Sequence, residues 1–226
     1  MENEGKHILR QLWLPSTLVA VMWLVFGAES LFDYDLSQWG ILPRRMSGLP
    51  GILISPFLHG SFEHLGSNTL PIFFLTLGLF VSYRKIAWQV FITSWVGTGI
   101  FVWIAARSSY HIGASGVIYA LIFFLFFSGV FRKEVQAIGI ALIVALFYGG
   151  AIWGIFPGQP GVSWESHAFG ALTGTVIAFF FRKSGPERKK YEWEDETDEE
   201  DPSDAVQPWN IRSLYPPPEG FQYPEK

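Results

Sequence analysis

The sequence predicts an all-α membrane protein, a bundle of six transmembrane helices with both termini in the cytoplasm, and three observations predict it. Half of the 226 residues are apolar and only 16% are charged. The charges fall at the two ends and in short clusters between long uncharged runs, the profile of a polytopic membrane protein. Six such runs follow one another, joined by links as short as Arg84-Lys85, which leaves too little polar surface for a water-soluble α protein.

The runs cover residues 11–28, 65–83, 86–106, 108–131, 135–156 and 166–181. Most reach the ~17–25 residues that a helix needs to cross the hydrocarbon, and the shortest, the last, is expected to begin near Ser163 or Trp164. With a cytoplasmic N-terminus, the inner side receives Lys6, Arg10, Arg84, Lys85, Arg132, Lys133, Arg182 and Lys183, and the outer side only Arg44, Arg45 and Arg107. The excess of Lys and Arg inside sets that orientation. Glu29 and Asp33 follow the first run where a cleaved leader would have small residues, so it reads as a retained span.

The expected organisation is a short cytoplasmic N-terminus over 1–10, a six-helix membrane domain over 11–183, and an acidic cytoplasmic tail over 184–226. The tail passes from a basic edge to "EWEDETDEEDPSD", a composition with too little apolar surface to offset chain entropy, so disorder is expected there. The long connection between the first two spans reads "WGILPRRMSGLPGILISPFLHGSFEHLGSN". Its Gly and Pro break a continuous helix, yet its many Leu, Ile, Trp and Phe side chains predict a folded element packed on the bundle. No cysteine occurs, which excludes disulfides, thiolate catalysis and Cys-bound metals.

Polar groups inside membrane spans are costly and point to function. His64 and Asn68, four apart, share a face at the start of the second span. Ser115 stands at the start of the fourth and His167 at the start of the sixth, with Gly170 and Gly174 on the face of His167. Even-numbered spans begin at the outer side, so the three sites share one depth. A hydroxyl, an imidazole and hydrogen-bond donors converging there are what acyl transfer requires. Gly113, Ala114 and Gly116 around Ser115 permit a tight turn. Gly170 and Gly174 form a GxxxG surface on which the sixth span can lie against the fourth. Tyr119, one turn beyond Ser115, lies on the same face and can pack on the imidazole. Taken singly, each element has a plain structural reading: a serine bonded to its own helix, a packing motif, a His/Asn pair joining neighbouring helices.

The order "HGSFEHLGSN", "GASG" and "SHAFGALTG" over six spans resembles the rhomboid intramembrane serine proteases, from about residue 43 to 181. The resemblance implies a hydrolase with a Ser-His dyad: Ser115 as nucleophile, His167 as general base, Tyr119 packed on His167. It assigns His64, Asn68 and the Ser115 backbone N–H to the oxyanion hole and a structural role to His59. It implies no cofactor and no metal. The implied partners are transmembrane protein substrates and the lipid bilayer, with no nucleic acid. The lack of organelle-targeting features and the compact six-span form favour a bacterial plasma membrane. With no carboxylate placed to orient His167, packing alone is expected to hold the ring, which predicts a slow enzyme. The fifth span and the loop "FPGQPGVSWES" are the expected lateral gate for substrate. Ser166 before His167, and the lack of a Trp-Arg pair beside "LPRR", depart from the family's pattern.

Three other readings compete. A rhomboid-like protein that binds membrane clients without cutting them is opposed by the intact Ser115 and His167. A metal hydrolase using His59, His64 and His167, with Glu63 or Glu165 as a further ligand, lacks both HExxH and any thiolate, and the spacing of five between His59 and His64 suits one helical face poorly. A transporter is opposed by the absence of charged residues from the centres of the spans and of any inverted repeat.

Overall fold

The computed structural model describes residues 9–158 and 163–185. The acidic tail and residues 159–162 of the expected gate loop lie outside the described residues. The helices are α1 (Trp13–Phe32), α2 (Phe62–Ser82), α3 (Ala87–Ala105), α4 (Ser115–Arg132), α5 (Val135–Tyr148) and α6 (Trp164–Phe180). Among the described residues five helical segments are long and apolar enough to cross a membrane, and α6, at 17 residues, is shorter. The protein is therefore all-helical and multi-pass.

Sequence chemistry sets the helix ends. Ser61, in extended conformation, opens α2 by accepting from the His64 backbone N–H at 3.1 Å, which satisfies one of the unpaired donors of a first turn. Ser163 caps α6 in the same way through Ser166 N–H. The first helix closes on Asp33 in the left-handed region, and α4 closes on Lys133 likewise.

Two helix limits differ most from the hydropathy runs. The fourth run was expected from residue 108, but α4 begins at Ser115. Residues 106–114 form a loop instead, because Gly113 has φ +102° and His111 pairs in antiparallel fashion with Ile41. The fifth run reaches residue 156, but its α-helix ends at Tyr148 and continues as a 3-10 segment, Gly149–Ile155. The Gly149-Gly150 pair marks the change, since glycine weakens α-helical continuity.

The fourth helix is the centre of the bundle. Its most apolar window is 61% buried, against 11% for the fifth span, and it packs against α2, α3, α5 and α6. Leu121, Phe124 and Leu125 on α4 join Leu65 and Leu79 of α2 and Val90 of α3 in the core. The lipid-facing side of α5 carries exposed Leu142, Leu146 and Phe147.

The connection between α1 and α2 is folded. It holds 3-10 turns at Ser37–Trp39, Met46–Gly48 and Ser55–Phe57 and a short helix at Gly51–Ile54. Its backbone is tied to the α3 side of the bundle: Trp95 Nε1 donates to Ile52 O at 3.0 Å, Trp103 Nε1 to Arg45 O at 2.9 Å, and Arg44 Nη1 to Ala106 O at 2.7 Å. Irregular backbone at membrane depth requires such internal partners, and tryptophan supplies an apolar body together with one donor.

Candidate active site

The N-termini of α2, α4 and α6 meet at one end of the bundle. Gly113 carries its N–H to Ser55 O at 2.8 Å. A Cβ built on it would stand 2.6 Å from both Cε1 and Nε2 of His64. Its positive φ and this contact together require glycine two residues before Ser115. The next glycine, Gly116, brings α4 against α6: a Cβ there would lie 3.4 Å from Ser166 O. Ser115 and His167 thus flank the same backbone contact, one residue to either side of it. Both are half-buried. Among the described residues the Ser115 hydroxyl makes no hydrogen bond.

His167 is held from two directions. Its ring stacks on Tyr119 with centroids 4.2 Å apart and planes 4° from parallel. Its Nδ1 lies 3.0 Å from Gly154 O. A carbonyl only accepts, so Nδ1 carries the proton and Nε2 carries the lone pair. Tyr119 Oη in turn donates to Ala151 O at 2.9 Å. The 3-10 segment after α5 therefore positions both rings, and a Cβ built on Gly154 would crowd Tyr119 Oη and stand 3.3 Å from His167 Nδ1. Packing alone was expected to orient His167; the Gly154 carbonyl does so as well, in the place that a carboxylate takes in a triad.

On the α2 side, Asn68 is buried and its Nδ2 donates to His64 O at 2.7 Å. An amide nitrogen has two hydrogens, so a second donor remains. His59, 3% exposed, packs edge-on against His64 at 5.0 Å, and its Nδ1 donates to Phe57 O at 3.4 Å. Burial, and then the neighbouring His64, push His59 down to about 4 from the ordinary 6.5. The unfolded chain binds protons more readily than the folded one between those values, so this stability is present above pH 6.5 and is lost as pH falls toward 4. Thermal unfolding in detergent is expected to move to lower temperature across that window, by a free energy on the order of a few kcal/mol. In His59→Phe the loss is expected to be smaller; an unchanged pH profile would remove His59 as its source.

Gly170 and Gly174 of α6 rest on the α4 backbone at Gly116 and Ala120. Two contributors escaped the sequence reading. The Gly154 carbonyl has no side-chain sign. His111 stands in "HIGASG", four residues before Ser115, inside a run read as a span; it is 2% exposed and hydrogen-bonded to Ser163. Among the described residues no three His, Asp or Glu side chains converge as a metal-binding group.

Fold and site together define a multi-pass helical membrane protein that gathers a serine, histidines and an asparagine where its even-numbered helices begin. The family model for the Rhomboid domain matches residues 47–184, and the chain belongs to the rhomboid family. It is 36% identical over 184 residues to the uncharacterized protein Rv1337 of Mycobacterium tuberculosis, covering 76% of this chain and 75% of that one. The uncharacterized protein Mb1372 of Mycobacterium bovis gives the same figures. The uncharacterized protein ML1171 of Mycobacterium leprae is 34% identical over 185 residues, covering 76% and 71%.

Proposed function

We propose that this chain is an intramembrane serine endopeptidase that cleaves transmembrane segments of other proteins near the outer face of a bacterial plasma membrane. The proposal includes six spans, both termini in the cytoplasm, a protease domain over 11–183 and an accessory acidic tail over 184–226. The observation that carries it is the state of His167: Nδ1–H held by Gly154 O, ring clamped on Tyr119, lone pair on Nε2, one helix start away from Ser115.

In this reading Ser115 Oγ attacks the scissile carbonyl while His167 Nε2 takes its proton. The resulting imidazolium returns that proton to the leaving amine, and the acyl group stays on Ser115. Water then attacks the acyl-enzyme with His167 again as base, releasing the acid and restoring the serine. The negative oxygen formed at each tetrahedral stage is met by the second N–H of Asn68, a ring N–H of His64 and the Ser115 backbone N–H, each such donor contributing about 10²–10³ in rate. The substrate helix must unwind to expose its peptide bond, so segments with Gly or Pro near the outer face are favoured.

The test is labelling of the detergent-solubilised protein with a fluorophosphonate probe, followed by mass spectrometry of the adduct. Modification at Ser115 in the wild type, absent from Ser115→Ala, is the expected result. A folded wild-type protein that takes up no probe, or takes it up at another serine, overturns the reading in favour of a client-binding protein without proteolytic activity.

A further inference from the structure

Beside the proposed dyad, a second polar cluster joins the two chain segments on which the dyad stands, and the mechanism above does not use it. His111, in the loop between α3 and α4, is clamped to Ile41 by two backbone hydrogen bonds of 3.0 and 2.9 Å. Its Nε2 lies 3.1 Å from Arg107 O and, further off, 3.5 Å from Ser109 Oγ; the carbonyl is the nearer partner. Since the carbonyl oxygen only accepts, Nε2 carries the proton and Nδ1 the lone pair. The Ser163 hydroxyl lies 2.5 Å from Nδ1 and therefore donates to it. With its proton so committed, Ser163 Oγ accepts from the Ser166 hydroxyl at 2.7 Å and from Ser166 N–H at 3.4 Å. Every proton in the chain then has one direction: Ser166 to Ser163 to His111 to the Arg107 carbonyl.

The same residues close a ring. Arg107 Nε pairs with Glu165 Oε1 at 3.4 Å, and Glu165, 5% exposed, precedes Ser166. Ser166 in turn precedes His167. Its carbonyl lies 3.4 Å from where a Cβ would stand on Gly116, the residue after Ser115, with Thr98 Cγ2 nearer at 3.0 Å. Five side chains thus fasten the first turn of α6 to the loop that delivers Ser115.

We propose that His111 and Ser163 are positioning residues for the Ser115–His167 pair: a one-directional hydrogen-bond relay that fixes the first turn of α6 against the serine loop. This rests on the protease reading. Its physical basis is the steep dependence of proton transfer on geometry, where a misplacement of about 1 Å costs about a hundredfold in rate. Burial of His111 holds its imidazole below the ordinary histidine range, so the neutral form that the relay requires prevails at neutral pH.

The experiment compares wild type, His111→Phe, His111→Asn and Ser163→Ala for cleavage of a transmembrane reporter and for fluorophosphonate labelling, with thermal melts in the same detergent. Phenylalanine keeps the ring and removes both nitrogens. Asparagine returns an acceptor oxygen near the position of Nδ1. His111→Phe and Ser163→Ala are expected to lower kcat about ten- to hundredfold with KM within twofold, and His111→Asn to recover most of that loss. Should His111→Phe fail to fold, Ser163→Ala carries the same expectation. Wild-type kcat in either folded variant, or no recovery with His111→Asn, overturns the relay.

Histidine side-chain nitrogen NMR gives a readout independent of cleavage. His111 is expected as the Nε2–H tautomer, and the His167 ring resonances are expected to move in His111→Phe and Ser163→Ala. An Nδ1–H tautomer at His111, or His167 resonances indifferent to both changes, overturns the relay even in a protein inert to substrate. A wild type that takes up no probe overturns the protease reading instead, and the NMR arm alone then decides the relay.

Discussion

In His167→Ala, cleavage of a transmembrane reporter is expected to fall by about 10²–10⁴, the range that general-base assistance contributes. The Ser115 hydroxyl makes no hydrogen bond among the described residues, so its proton needs an acceptor in the transition state. In the proposed mechanism His167 Nε2 is that acceptor, its lone pair fixed by the contact of Nδ1 with the Gly154 carbonyl. Ser115→Ala removes the proposed nucleophile and is expected to be at least as damaging. The double variant is expected to be no worse than Ser115→Ala alone, because groups that act as a unit are not additive. Turnover of the three variants under identical detergent conditions is the measurement. A double variant with the product of the two single losses would place His167 in a role independent of Ser115.

Much of this site was legible in the sequence because the membrane makes polar residues conspicuous. His64, Asn68, Ser115 and His167 interrupt apolar runs, and an unpaired polar group in hydrocarbon costs enough to require a reason. The glycines were legible as well, since Gly170 and Gly174 are spaced for helix contact. The groups that orient His167 were not. The Gly154 carbonyl belongs to a backbone that leaves the α-helix after Tyr148, while hydropathy registers the apolar run to residue 156 and not a change of helix type. His111 was hidden for a related reason. Residues 108–131 carry no Asp, Glu, Lys or Arg and read as one span, whereas the loop before Ser115 depends on a positive φ at Gly113 and on pairing with Ile41, some seventy residues earlier. Local composition carries no sign of a partner so distant.

Gly174→Leu is expected to lower the melting temperature by roughly 10 °C and to abolish cleavage. A Cβ built at Gly174 would stand 2.9 Å from both Ala120 C and Phe124 N, and closer still to Ala120 O. These are backbone atoms of α4 and cannot rotate aside. Ala120, Phe124 and Ala178 around them are fully buried, so the added side chain has no space to enter. Only separation of α6 from α4 accommodates it. Overpacking of this kind costs typically ~1–3 kcal/mol, and each kcal/mol moves the midpoint of a protein of this size by about 2–4 °C. The functional loss follows from the same displacement, since α6 carries His167 and α4 carries Ser115. Gly139→Leu is the control: a Cβ at Gly139, on α5, meets nothing within 4 Å, so helix propensity alone is changed, and favourably. Melts and reporter cleavage of the two variants, measured together, decide the matter. Equal stability would mean that α6 does not depend on backbone approach to α4. A destabilised but fully active Gly174→Leu would mean that the α4–α6 spacing does not set the alignment of Ser115 with His167.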